Sequence, residues 1–325
     1  MAYEEISKVY KQLGTLIEKS FELRRKLARE FAAQKDILLK DIATGKVDSE
    51  TMLEFGRYIS NKLGEERGKE IPEDVNIERF SIGHIPAEWI SVPGASEDKV
   101  YFRLFGGGYR TGTLESRRWI PYNVSRATQI QCLNIEYRLA PEYPFPAALD
   151  DAVQSYRWLL SNGFDSKKII IGGESAGGGL AIATMMKLKE LNVSLPLAGV
   201  LMSPWADLTG KAESLIRNQK FEPLILEGFE IMAQSYAQNQ PVDNPFISPV
   251  FANLEGLPPL LIQAGGIEAL LDDSITLAKR AESFGVEVKL EVYEKMTHVF
   301  QNYGEKLPES RDAYNSVKNF IQTYL

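Results

Sequence analysis

A chain of 325 residues, 44% hydrophobic and 25% charged, has the composition of a folded globular protein. Its length suits about two domains, or one large α/β unit with an appended element. Its 37 Lys and Arg against 44 Asp and Glu leave a net charge of −7, a field that repels nucleic-acid phosphates and anionic lipid headgroups.

One cysteine, Cys132, excludes an internal disulfide, and with only His84 and His298 no His- or Cys-rich zinc centre can be built. No apolar run of about 18 residues is available to span a bilayer. The opening Met1-Ala-Tyr-Glu-Glu5 lacks the basic and apolar blocks of a secretory signal. These features lead us to expect an unprocessed cytoplasmic protein without cofactor, metal or nucleic-acid partner.

In chain order, Ile6, Val9, Tyr10, Leu13, Ile17, Phe21, Leu27 and Phe31 share one broad helical face at about 100° per residue, with charged residues opposite. A second helix is predicted from an N-cap at Asp48 to Leu63, with Gly64 placed to end it. Residues 1–75 therefore read as a helical appendage, bounded by Glu70-Ile-Pro-Glu-Asp74. From residue 76 to 325, short β-type runs alternate with helix-length segments, the pattern of a mainly parallel sheet covered by helices. The runs are 77–82, 87–92, 100–104, 131–137, 168–171, 197–202, 260–263 and 287–293, and helices are predicted over 146–160, 176–191, 227–238, 273–284 and 309–324. Residues 93–96 read as a turn. The stretch 210–239 exceeds what a crossover needs and reads as an insertion above the sheet.

Gly173-Glu-Ser-Ala-Gly177 matches the G-x-S-x-G nucleophile elbow, after the β-branched run Ile169-Ile-Ile171 and before a helix-permissive stretch. That strand, turn and helix make Ser175 a candidate nucleophile. Of the two histidines, His298 follows the last strand and completes the chain order nucleophile, acid, histidine, whereas His84 precedes the elbow and reads as structural. The acid is sought after the penultimate strand, in Gly265-Gly-Ile-Glu-Ala-Leu-Leu-Asp-Asp273. Glu268 lies nearest the strand end; Asp272 and Asp273 read as caps of the next helix, and Asp272 and Asp207 remain competitors. Phe105-Gly-Gly-Gly-Tyr109 follows a strand, and bare glycine backbone lets N–H groups approach an oxyanion; the Ala176 N–H is a further donor. Cys132 reads as core, Arg138 and Glu142 as ion-pairing residues that tie down a loop, and Trp205 and Asp207 as pocket lining or loop support.

Four stretches together resemble the hormone-sensitive-lipase-like family of bacterial and archaeal esterases, within the α/β-hydrolase superfamily. They are Phe105-Gly-Gly-Gly-Tyr109, Tyr137-Arg-Leu-Ala-Pro-Glu-Tyr-Pro-Phe-Pro-Ala147, Gly173-Glu-Ser-Ala-Gly-Gly178 and Met296-Thr-His-Val-Phe300. The resemblance runs from about residue 80 to the end. It implies an α/β-hydrolase fold with a helical cap, and a serine carboxylesterase acting on short or medium acyl esters or lactones. Carried over by position, it implies Ser175 as nucleophile, Glu268 as acid, His298 as base, and Gly107, Gly108 and Ala176 as oxyanion donors. It also suggests homodimers joined through an edge strand. Three positions depart from the family: Glu268 stands where Asp is common, Phe105 where histidine precedes the glycines, and Glu174, given little weight, where Asp is frequent. Phe105 is the feature that favours a second reading, a ligand-binding module that kept the fold and lost catalysis.

Overall fold

The computed structural model describes residues 2–325. Four helices come first: α1 (Ala2–Val9), α2 (Lys11–Gln34), α3 (Leu39–Ala43) and α4 (Ser49–Gly68). The apolar face expected on one helix is split at Tyr10, whose extended backbone (φ −152°, ψ 101°) separates α1 from α2. Asp48 caps α4 by accepting from the Thr51 N–H at 2.8 Å, as its position predicts. Gly64, in contrast, does not end α4, which continues to Gly68. Its missing side chain serves packing: a Cβ there would lie 2.0 Å from the Ser116 carbonyl oxygen.

Eight strands then form one sheet: β1 (Asn76–Ile82), β2 (Ile85–Ser91), β3 (Ser96–Leu104), β4 (Ile130–Ile135), β5 (Ile169–Glu174), β6 (Ala198–Met202), β7 (Leu260–Gly265) and β8 (Val288–Tyr293). Their spatial order is β1-β2-β4-β3-β5-β6-β7-β8. β2 runs antiparallel to β1 and β4, and all the other pairs are parallel. The helices between and after the strands are α5 (Trp119–Thr128), α6 (Ala147–Ser161), α7 (Ala176–Glu190), α8 (Glu213–Arg217), α9 (Pro223–Ala237), α10 (Leu271–Ser283) and α11 (Pro308–Tyr324).

Continuous apolar runs in the central strands are explained by burial on both faces. Ile169 and Ile171 of β5 join Phe102, Leu133 and Ile262 in a core beneath α6, α7 and α10. Ile170 points the other way and packs with Tyr101, Cys132, Val200 and Leu261 beneath α5 and α11. Each such side chain contributes roughly 1.5–3 kcal/mol by leaving water. Helix α5 was not anticipated from the sequence because Pro121 interrupts its pattern; Pro121 lies in the first turn, where a missing N–H removes no helical bond. The insertion predicted over 210–239 contains α8 and α9, and α9 begins at Pro223, ahead of the predicted 227.

Parallel strands place all their C-terminal ends on one edge of the sheet. Phe105, Ser175, Ser203, Glu268 and His298 follow β3, β5, β6, β7 and β8 respectively, so residues far apart in sequence meet on that edge.

Candidate active site

Ser175 occupies a sharp turn between β5 and α7 with φ 54° and ψ −125°, a conformation that L residues rarely adopt. The turn closes because its neighbours are small. A Cβ on Gly173 would lie 2.3 Å from the Gly177 oxygen, and one on Gly177 would lie 2.0 Å from the Leu104 oxygen. The backbone is pinned on both sides: Ser175 N–H donates to the Met202 carbonyl at 3.0 Å, and Trp205 N–H donates to the Ser175 carbonyl at 2.9 Å.

The Ser175 hydroxyl lies 2.9 Å from Nε2 of His298. Burial lowers the imidazole from 6.5 to about 4, so the ring is neutral at pH 7 and Nε2 can accept the hydroxyl proton. Behind the ring, Glu268 is fully buried, and its Oε2 lies 3.9 Å from His298 Nδ1. Oε2 accepts from the Ser203 hydroxyl at 2.6 Å and the Gly265 N–H at 2.9 Å. Burial, then the charge of Glu222, holds this carboxyl above the ordinary carboxylate range against those two bonds. Among the described residues, His298 Nδ1 and Glu268 Oε1 have no hydrogen-bond partner. An approach of about 1 Å would bring the imidazole and carboxylate within hydrogen-bond range, the kind of tightening seen when substrate binds.

The competing carboxylates lie elsewhere. Asp272 accepts from Ser214 N–H and pairs with Arg217 at 2.9 Å, while Asp273 accepts from the N–H groups of Ala206 and Asp207. Neither caps α10, whose N-cap is Leu270; Asp272 instead fastens α8, and Asp273 the loop after β6. Asp207 turns back onto its own loop, accepting from Thr209 N–H.

The glycine loop needs no histidine to hold it. Phe105 stacks on Tyr137 with ring centroids 4.3 Å apart, and the Tyr137 hydroxyl donates to the Phe105 carbonyl at 2.6 Å. Glu174, the residue given little weight in the sequence, anchors the other side. It forms a buried ion pair with Arg103 and accepts from the Gly106 N–H at 2.8 Å. Gly107 (φ 139°) and Gly108 (φ 60°) follow, in backbone conformations that favour glycine. Gly107 and Gly108 line the same cavity as Ser175, and Ala176 opens α7 directly after it.

Ser175 and His298 open into a cavity of about 450 Å³. Ile6, Ile17 and Phe21 reach it from α1 and α2, and Phe221, Phe229 and Met232 from the 210–239 segment. Trp205 lines its wall and packs against Phe229 at 5.1 Å. Glu222 was not singled out from the sequence and proves central. Its carboxylate accepts from the backbone N–H of His298 and from Ala269 N–H, next to Glu268. Burial pushes its pKa up to about 7. No motif marks this residue, because it comes from the inserted segment and acts on backbone. Ser203 was missed for a similar reason: its hydroxyl donates to Glu268 and accepts from Val299 N–H.

The remaining candidates sit apart. His84 is exposed and lies 2.9 Å from Asp151, which also pairs with Arg138. Glu142 pairs with Arg57 of α4. Cys132 is buried, and burial pushes its thiol up. Among the described residues there is no cluster of three or more His, Cys, Asp or Glu able to hold a metal ion, and no helix is long and apolar enough to cross a membrane.

Comparison with known proteins accords with this arrangement. Residues 100–302 match the family model described as alpha/beta hydrolase fold. An acetyl-hydrolase of Streptomyces hygroscopicus is 37% identical over 245 residues, covering 75% of this chain and 81% of that protein. An esterase of Acinetobacter venetianus is 38% identical over 229 residues, covering 70% of this chain and 75% of that one. The solved structure of an esterase from the bacterial hormone-sensitive lipase family superposes with a TM-score of 0.81 at 35% identity, covering 93% of this chain and 98% of that one.

Proposed function

The chain belongs to the α/β-hydrolase fold family and, within it, to the hormone-sensitive-lipase-like esterases; it is a carboxylic-ester hydrolase, and we propose that Ser175, His298 and Glu268 carry its chemistry. The observation that carries this assignment is the 2.9 Å contact between the Ser175 hydroxyl and a neutral imidazole at the floor of a cavity. His298 takes the hydroxyl proton as Ser175 attacks the ester carbonyl. Glu268 steadies the resulting imidazolium, and the N–H groups of Gly107, Gly108 and Ala176 hold the oxyanion. His298 returns its proton to the departing alcohol, leaving an acyl-enzyme. Water deprotonated by the same imidazole then attacks, and the acid is released.

In this reading residues 1–75 and the 210–239 segment act as a cap over the catalytic domain formed by the rest of 76–325. The apolar wall of Ile6, Ile17, Phe221 and Phe229 favours short or medium acyl groups or lactones over long-chain fats. The free Cys132 suits a reducing cytoplasm, and β8, with a single neighbour in the sheet, offers an edge through which two copies could pair. A serine-directed phosphonate is expected to label Ser175 stoichiometrically and abolish turnover of a short p-nitrophenyl ester; full activity in Ser175→Ala would overturn the assignment.

A further inference from the structure

Several arginines of this protein that are drawn out of water sit beside a carboxylate. Arg57 pairs with Glu142, Arg103 with Glu174, Arg118 with Glu88 and Arg138 with Asp151. Among the described residues Arg24 of α2 and Arg67 of α4 have no carboxylate ion pair, and both line the cavity that holds Ser175. Arg67 and the Tyr303 hydroxyl are the electrostatic neighbours of Arg24, and Tyr303 and Glu70 those of Arg67. Glu70 is already engaged by Lys306. The carboxylates that line the same cavity are engaged too, Glu174 by Arg103 and Glu222 by two backbone N–H groups. A third guanidinium, Arg117, stands alongside. Its Nη2 donates to the Ser60 hydroxyl at 2.8 Å, and its Nε is buried without a hydrogen-bond partner.

Like charges gathered on one partly enclosed cavity are costly unless an anion joins them. Guanidinium forks match the planar, bidentate geometry of carboxylate and phosphate. Burial lowers Arg24 only to about 10, so the charge persists at neutral pH.

We infer that Arg24 and Arg67, with the Tyr303 hydroxyl, form a subsite for an anionic group on the substrate, so that the preferred esters carry a carboxylate or phosphate away from the scissile bond. This rests on the hydrolase reading, since it places the anion in the same cavity as the Ser175 hydroxyl. Half-esters of short dicarboxylic acids are the simplest members of that class.

The test compares 1-naphthyl hemisuccinate with the uncharged 1-naphthyl butyrate, each corrected for its alkaline hydrolysis rate. Wild type is expected to favour the charged ester in kcat/KM, and Arg24→Gln/Arg67→Gln to lower that preference on the order of tenfold or more, mainly through KM. Arg67→Lys, which keeps charge without the fork, should fall between the two. Turnover of the neutral ester by the double variant reports that it has folded. Should the variant fail to fold, competition in wild type decides: free succinate or inorganic phosphate must inhibit butyrate-ester cleavage competitively, and which of them does so identifies the anion. A preference for the neutral ester, a ratio unmoved by the double substitution, or inhibition by neither anion overturns the subsite. If neither ester is cleaved at all, the hydrolase reading itself has failed, a result distinct from these.

Discussion

The floor and the roof of the cavity are built by opposite rules. Beneath Ser175, strands β4, β5, β6 and β7 bury every residue they contain. Above it, α2 buries five of its 24 residues and α4 three of its 20. The floor is fixed by packing from both faces and by a ladder on each side, whereas the roof is held by small clusters such as Leu27, Ile59 and Leu63. Reaction geometry tolerates little displacement, and it sits on the part with the most buried area. On the proposed reading, selection among substrates falls to the roof, from which Ile17, Phe21, Arg24 and Arg67 line the cavity.

If this division is right, substitutions in the floor should act on kcat and those in the roof on KM. The largest expected effect is Ser175→Ala, which should remove about 10⁴-fold or more of kcat in a p-nitrophenyl ester assay with little change in thermal midpoint. Glu268→Ala should cost about 10³-fold while Asp272→Ala stays within about tenfold of wild type; equal losses in the two would break the assignment of the acid. Gly108→Ala places a Cβ 2.1 Å from the Met232 sulfur at a φ of 60°, and should reduce kcat by about 10²–10³-fold if its N–H holds the oxyanion. The smallest effect sharpens the join between floor and roof. Glu222 carries a pKa raised from 4.5 to about 7 and so holds its proton more tightly when folded; its contribution to stability falls as pH rises through that window. Chemical denaturation at pH 5 and pH 8 should therefore show wild type losing stability relative to Glu222→Gln, and parallel curves would refute the buried location of that charge.

Sequence reasoning reached the floor more fully than the roof, for physical reasons. Strands buried on both faces appear as apolar runs such as Ile169-Ile-Ile171, and a turn as tight as that at Ser175 demands glycines that can be counted. The eight strands were anticipated to within a few residues, whereas α5 was concealed by Pro121 and Gly64 was misread because its role is close packing against Ser116. Within the site, Ser175, His298 and Glu268 were brought to attention by spacing and order along the chain. Glu222 was not, because it works through backbone N–H groups that any residue could supply, leaving no trace in the identity of its partners. Arg24 and Arg67 looked like ordinary solvated helix residues, since their place on the cavity wall is visible only in three dimensions.

One carboxylate, that of Glu222, grips the strand-end loops bearing the base and the acid, yet it belongs to the segment that roofs the cavity. A guest too bulky to fit beneath that roof cannot push it aside without tearing the same bolt from both loops. Size exclusion and loss of alignment are thereby one event, so oversized esters would be rejected in turnover as well as in binding.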